Sequence, residues 1–190
     1  MTGEQDGELL QRVGAGDAAA YRALVERHMP ALLRLARRML RDDAEAEDVT
    51  QDALLRLWRG AKSIEVGTNG VKPWLWRVTS NICIDRMRAK RASAGEDELP
   101  DIEIAATQHH RLEQQDLARQ VDASLKTLPE RQRLALVLFH YQGLTQNEVA
   151  EAMEISAEAV ESLLARARRT VKGLLADEWK SLLPEAADEI

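Results

Sequence analysis

The chain has 190 residues, 45% of them apolar and only 4% aromatic, which allows one or two compact domains with ordinary cores. No run of ~18 apolar residues is present, so no membrane-crossing helix is expected, and the opening MTGEQDGELL lacks the basic start and apolar run of a signal peptide. The net charge of −6, taken as a sum, argues against a nucleic-acid ligand; the single cysteine, Cys83, rules out an intramolecular disulfide and fits a reducing cytoplasm.

Almost every segment reads as helix. Over residues 9–40 the apolar positions Leu24, Leu32, Leu35 and Met39 recur at helical spacing, and Asp17 is placed to cap the helix that opens AAAYRALVERHM. Asp42 or Asp43 begins the next helix, AEAEDVTQDALLRLWRG, which stops at Gly60. KSIEVGTNGV, with its glycines and Asn69, is a loop. Pro73 suits the first turn of the helix WLWRVTSNICIDRMRAKRA. From Ser93 to about His110 the chain turns acidic, carries Gly95 and Pro100, and loses periodicity, which marks a linker. Helices resume near Arg111, and Pro129 opens ERQRLALVLFHYQ, which ends at Gly143. With no strand pattern and no internal repeat, the expected fold class is all-α, as two small helical domains joined by a flexible linker.

After Gly143 the chain reads LTQNEVAEAMEISAEAVESLLARARRTVKGLL. Thr145 and Glu148 have capping-box spacing, Val149, Ala150 and Met153 make a short apolar face, and Ile155 and Ser156 form a tight turn with Ser156 as the next N-cap. Val160, Leu163, Leu164, Ala167, Val171 and Leu174 line one side of the second helix; at ~100° per residue, Glu158, Ser162, Ala165, Arg166 and Arg169 fall on the other. A short helix, a tight turn and a longer helix with a basic outer face is a helix-turn-helix pattern, although a helical hairpin with a solvated exterior has the same pattern.

Charge is unevenly distributed. Lys72, Arg77, Arg86, Arg88, Lys90 and Arg91 crowd one stretch, opposed locally only by Asp85; Arg166, Arg168, Arg169 and Lys172 crowd another. The acids gather at Glu96, Asp97, Glu98, Asp101 and Glu103, and in the tail at Asp177, Glu178, Glu185, Asp188 and Glu189. Two basic patches in an acidic chain fit two DNA contacts, or two solvated helix faces. On the helix over residues 74–91, Leu75, Val78 and Ile82 form a buried stripe, and Trp74, Arg77, Asn81, Asp85 and Arg88 form another. An aromatic, an amide and cations on one face suit unpaired DNA, since a base can be engaged by the aromatic or amide while cations hold phosphates; the alternative is that Trp74 and Trp76 are core.

The run ELLQRVGAGDAAAYRALVERHMPALLRLARRML, then AEDVTQDALLRLW, then KPWLWRVTSNICIDRMR, resembles the second-region domain of extracytoplasmic-function sigma factors of the sigma-70 family. LPERQRLALVLFHYQGLTQNEVAEAMEIS followed by AVESLLARARR resembles their fourth-region domain. The resemblance covers nearly the whole chain apart from the linker and the last dozen or so residues, and its weight lies in several motifs occurring in order. It implies a region 2 domain over residues 1–92, an acidic linker over 93–112, a region 4 domain over 113–176 and an acidic tail over 177–190. It further implies a subunit that directs core RNA polymerase to promoters and helps to open them, with neither cofactor nor metal nor small-molecule substrate. Asp48, Gln51, Leu55 and Trp58 are similar to residues that grip the clamp coiled coil of the largest polymerase subunit, with the flap as a second contact, though Trp58 also reads as core. Asn81, Asp85 and Arg88, beside Trp74 and Arg77, resemble positions that read the minus-ten element as it melts, and the loop 63–71 resembles one that holds a flipped base. Ser162, Arg166 and Arg169, flanked by Glu158, Arg168 and Lys172, lie where the family reads the minus-thirty-five element. Many members carry a basic residue just after the valine of that helix; here the position is Glu161, which bears on which upstream sequence is read. Family members are often held by an anti-sigma factor, sometimes at the membrane, and such a partner in a stress response is expected here.

Other readings explain less. His109, His110 and Glu113 lack a further ligand at metal-binding spacing, Cys83 reads as a small core residue, and no phosphate cradle or nucleophile elbow is present. A dimeric helix-turn-helix repressor accounts for residues 129–173 but leaves the 74–91 face without a purpose, and an adaptor docking acidic proteins accounts for the basic patches alone.

Overall fold

The computed structural model describes residues 2–67, 69–94, 125 and 127–182. The expected linker acids Glu96, Asp97, Glu98, Asp101 and Glu103, together with His109, His110 and Glu113, lie outside the described residues.

Four helices build the N-terminal half: α1 (Thr2–Gly14), α2 (Ala18–Leu40), α3 (Asp43–Gly60) and α4 (Lys72–Ala94). Their ends are set by local chemistry. Asp17 accepts from the amides of Ala19 at 2.9 Å and Ala20 at 3.1 Å, and the Arg12 guanidinium reaches the same carboxylate at 2.7 Å. The Ala20 amide first, and then Arg12, hold the Asp17 carboxyl below its ordinary range. Helix α2 passes through Pro30, which has no N–H to give to the preceding turn, and ends at Arg41 in the left-handed region at φ 57°. Asp42 then caps α3 by accepting from the Glu45 amide at 3.0 Å.

Leu24, Leu32, Leu35 and Met39 of α2 are buried, as their spacing predicts, against Val49, Ala53 and Leu57 of α3 and Leu75, Ile82 and Cys83 of α4. Burial at this level stabilises by roughly 1.5–3 kcal/mol for each large apolar side chain. Helix α1 is tied down by one polar cluster. The Asp6 side chain, 3% exposed, accepts from Arg27 and lies 2.9 Å from Nε2 of His28. Burial holds His28 below the ordinary histidine range despite the neighbouring carboxylate.

The C-terminal half contains α5 (Glu130–Leu136), α6 (Gln146–Met153) and α7 (Ala157–Leu182). The sequence predicts a single helix over 130–142. Its last part, Val137–Tyr141, is instead a π-helical turn, closed by the Gln142 amide on the Val137 carbonyl at 3.1 Å. Such wide turns place side chains off the α-helical register, and this one carries Phe139, His140 and Tyr141. The expected capping box is formed: the Thr145 amide donates to Glu148 at 2.8 Å and the Glu148 amide donates to the Thr145 hydroxyl at 3.3 Å. The turn between α6 and α7 rests on Glu154 in the left-handed region at φ 53°, and the Ser156 hydroxyl accepts from the Ala159 amide at 3.2 Å. Val160, Leu164 and Ala167 bury the inner side of α7. Helix α7 runs on to Leu182, past the expected end of the domain at residue 176, so the first residues of the predicted tail are helical.

The two halves touch. The buried Arg133 of α5 donates to the Met39 carbonyl near the end of α2 at 3.3 Å, supplying an acceptor-rich helix terminus with a cation. The guanidinium of Arg38 sits over the Tyr141 ring, 3.5 Å from its centre.

Replacing Asp6 with Ala removes the carboxylate that both Arg27 and His28 engage. The change is expected to lower stability by about 1.5–3 kcal/mol, the range for hydrogen bonds to charged groups. It should appear as a lower urea midpoint with unchanged slope; an unchanged midpoint would mean that α1 is held by apolar contacts alone.

Candidate polymerase and nucleic-acid interfaces

Three helix faces gather the predicted functional residues. On α3, Asp48 and Gln51 are exposed, Leu55 is 41% exposed, and Trp58 is half-buried with its ring edge-on to Tyr21 at 5.0 Å and 65°. These positions follow one another at three- and four-residue steps, so they form a single ridge. Leu55 is an exposed apolar side chain on that ridge, while Trp58 has one side in the core and one at its margin.

On α4, packing divides the helix lengthwise. Leu75, Trp76, Ile82 and Cys83 are buried, and burial pushes the Cys83 thiol up to about 12, which marks it as a packing group. Of the two tryptophans, Trp76 belongs to the core and Trp74 is half-buried against it. Asn81, Asp85 and Arg88 are exposed on the opposite side, and Arg77 is half-buried. Beside them, Glu65, Gly67, Gly70, Pro73, Trp74 and Arg77 line a shallow hollow under the α3–α4 loop. That loop is pinched by an antiparallel bridge between Gly67 and Gly70, with Gly70 at φ 64°, a conformation that suits glycine.

On α7, Glu158, Glu161, Ser162, Arg166, Arg168, Arg169 and Lys172 are all exposed. Hydrogen bonds from its own backbone amide and from Ser156 hold the Glu158 carboxyl below its ordinary range at the helix start. Arg168 is turned aside: its guanidinium lies 3.4 Å from Nε2 of His140 and 5.7 Å from the centre of the Phe139 ring. Arg168 therefore borders the helix face that bears Ser162, Arg166 and Arg169.

The structure also supplies partners that sequence position hides. Glu148 lies 3.5 Å from Lys72, Glu154 lies 3.0 Å from Arg77, Glu130 lies 2.7 Å from Arg91, and Glu45 lies 3.8 Å from Lys90. The basic stretch on α4, opposed locally only by Asp85, is thus opposed in space by acids from α3, α5 and α6. Glu148 and Glu151 of α6 and Glu154 just past its end recur every three residues, and that spacing alone could have flagged a cluster of acids.

Comparison with known proteins agrees with this architecture. Residues 24–93 match the family model for sigma-70 region 2, and residues 118–171 match the model for sigma-70, region 4. The chain is 36% identical over 170 residues to the ECF RNA polymerase sigma factor SigM of Mycobacterium tuberculosis, covering 90% of this chain and 84% of that one. It is 28% identical over 182 residues to the RNA polymerase sigma-H factor of Pseudomonas aeruginosa, covering 90% and 94%. Among solved structures it is similar to CnrH in complex with the cytosolic domain of CnrY, with a TM-score of 0.69 at 27% identity, covering 91% of this chain and 98% of that one. It is also similar to the sigma factor RpoE of Bartonella quintana in complex with the anti-sigma factor NepR, with a TM-score of 0.65 at 25% identity, covering 82% and 96%. Two region models in order, a relative matched along most of its length and a fold shared with sigma factors lead to one assignment: the chain belongs to the sigma-70 family as an extracytoplasmic-function sigma factor, which binds core RNA polymerase and promoter DNA for promoter-specific transcription initiation.

Proposed function

We propose that the three faces divide the work of initiation. The α3 ridge of Asp48, Gln51, Leu55 and Trp58 docks on the clamp coiled coil of polymerase. The α4 face of Trp74, Arg77, Asn81, Asp85 and Arg88 reads and helps to melt the minus-ten element, with the adjoining hollow receiving an extruded base. The α7 face of Glu158, Glu161, Ser162, Arg166 and Arg169, bordered by Arg168 and Lys172, reads the minus-thirty-five element. The boundaries near residues 92 and 113 separate these tasks between two domains. The observation that carries the reading is the lengthwise division of α4: the stripe of Leu75, Ile82 and Cys83 is buried while Asn81, Asp85 and Arg88 stand exposed. The chain contributes binding and no catalysis, the chemistry being that of the polymerase. Among the described residues no helix is long and apolar enough to cross a membrane. An anti-sigma factor is the expected further partner in the cytoplasm, a reading supported by the likeness to RpoE, whose structure is of a complex with the anti-sigma factor NepR. Run-off transcription from promoter libraries with purified core polymerase tests the whole reading.

Each face has its own test. Leu55→Ala should weaken core polymerase binding about tenfold, the effect of losing a contact at the energetic centre of an interface. Because Leu55 is exposed, the helical circular-dichroism signal should not change; a lost signal would place Leu55 in the core instead.

Holding an extruded base must offset an unstacking cost of a few kcal/mol. Asn81→Ala should therefore slow open-complex formation by holoenzyme more than it weakens initial promoter binding, and a premelted bubble should restore part of the loss. Equal defects on duplex and bubble templates would count against α4 as the melting face.

On α7, a bidentate arginine–guanine contact is worth ~1–3 kcal/mol of discrimination. Arg166→Ala should relax preference at one upstream base pair, whereas Lys172→Ala should weaken all sequences alike and reduce the salt slope by about one. Selection of upstream elements by holoenzyme separates the two; base-preference profiles identical to the parent's would remove α7 as the reader.

A further inference from the structure

We propose that His140 is a proton-linked phosphate contact: beside the reading face of α7, its imidazolium and the Arg168 guanidinium grip one phosphate of the upstream DNA together. The proposal rests on the assignment of α7 as the reading helix. It starts from the π-turn. The Gln142 amide reaches back to the Val137 carbonyl at 3.1 Å, a wider turn than that of an α-helix, so the side chains within it leave the register of α5. Tyr141 is carried to α2, under Arg38, while Phe139 and His140 are carried to α7. The Phe139 and His140 rings meet edge to face, with centres 5.0 Å apart and planes at 84°. Arg168 lies against both: its guanidinium is 5.7 Å from the centre of Phe139 and donates to Nε2 of His140 at 3.4 Å.

Position gives the pair its ligand. At ~100° per residue, Arg168 and Lys172 share one flank of α7, between the buried stripe of Val160, Leu164 and Ala167 and the exposed face of Ser162 and Arg169. A helix seated in a major groove has backbone phosphates along its flanks. His140 is exposed at this flank, so an anion that reaches Arg168 reaches His140 as well. The protonation state of the ring decides what it does there. In the free chain Arg168 donates into Nε2, which therefore holds a lone pair, and the ring proton sits on Nδ1. Burial first, and then the Arg168 charge, hold His140 below the ordinary histidine range, so the free ring is neutral at pH 7. The charges around it favour that state. Arg168 comes from α7, and Arg38 of α2 covers the neighbouring Tyr141, while Glu148 of α6 is engaged by Thr145 and Lys72 and Glu130 of α5 by Arg91. A phosphate reverses the balance. Its oxygens only accept, so Nε2 bonds to one as a donor, and its negative charge offsets that of Arg168. Binding thus raises the proton affinity of His140, and a proton is taken up from solvent. By linkage, the gain in DNA affinity is complete below the free-chain pKa and is lost as pH rises through the DNA-bound value.

The test uses holoenzyme assembled from the full-length chain and core polymerase, with a fluorescent promoter duplex that the parent holoenzyme selects from a random upstream library. Binding constants are measured for the parent, His140→Gln and His140→Lys across the histidine range at one salt concentration. His140 is exposed, so neither substitution disturbs the core, and the titrations of His28, polymerase and duplex are common to all three and cancel in the ratios. From about pH 8 down to about pH 5.5, the ratio of parent to His140→Gln should rise about tenfold, the effect of a pKa raised by about one unit on binding. His140→Lys carries its charge throughout. At about pH 8 it should bind more tightly than the parent, with a salt slope steeper by about one, and that advantage should vanish at the acid end. A parent-to-Gln ratio flat with pH overturns proton uptake. His140→Lys binding no more tightly than His140→Gln overturns the phosphate contact. In the free full-length chain, the His140 ring resonances should titrate at higher pH in Arg168→Ala than in the parent, and coincident titrations overturn the pairing. The Arg166→Ala selection, made at about pH 8, reports separately whether α7 is the reader, because it scores base preference and not proton uptake.

Discussion

The circumference of α4 is the constraint on which the rest of the structure depends. A helix has one continuous surface, and this one seals the N-terminal core along one side while carrying the proposed promoter-reading residues along another. Leu75, Trp76, Ile82 and Cys83 occupy one side and are almost completely enclosed. Close-packed interiors tolerate little rotation of a buried helix, so these side chains set the roll of α4 about its axis. The directions of Arg77, Asn81, Asp85 and Arg88 follow from that roll. Cys83 belongs to this packing, being small, fully enclosed and with its thiol pushed up to about 12.

Two kinds of contact then hold the molecule at different strengths. Within each half, leucines, valines and alanines interlock, and polar clusters such as Asp6 with Arg27 and His28 fasten what the apolar surface does not reach. Between the halves the apolar cluster continues, and polar contacts are added to it: ion pairs along α4, Arg133 on a helix-terminal carbonyl, and a guanidinium over Tyr141. The proposed placing of two DNA-reading faces on separate promoter elements asks for cohesion inside each domain.

The overall charge of −6 and the DNA-binding function are compatible because electrostatics at physiological salt is local. Exposed charges more than about 8–10 Å apart are largely screened, so a ligand at α7 responds to Arg166, Arg169 and Lys172 rather than to the sum. Within that patch Glu161 is an exposed acid beside the proposed reading residues. A carboxylate there can accept from a cytosine amino group or repel a phosphate, and either effect narrows the sequences tolerated.

Much of the fold was legible in the sequence because its signals are local. Asp17, Asp42, the Thr145–Glu148 box and Ser156 stop and start helices through bonds spanning only a few residues, and all are formed as their spacing predicts. The periodicity that buries Leu24, Leu32, Leu35 and Met39 is equally local, as is the spacing that puts Asn81, Asp85 and Arg88 on one exposed side of α4. The order of motifs likewise sufficed for the family. What only the tertiary structure decided involves residues far apart in the chain or departures from regular helix. Trp74 and Trp76 read alike in sequence, yet packing makes one marginal and the other core. The π-turn at Val137–Tyr141 interrupts a pattern that runs on as helix in the sequence, and it sets Tyr141 under Arg38. The pairing of Lys72 with Glu148 and of Arg77 with Glu154 joins residues more than seventy positions apart. A charge pattern read along the chain counts neighbours in sequence, whereas Coulomb attraction acts between neighbours in space, and for α4 those are different residues.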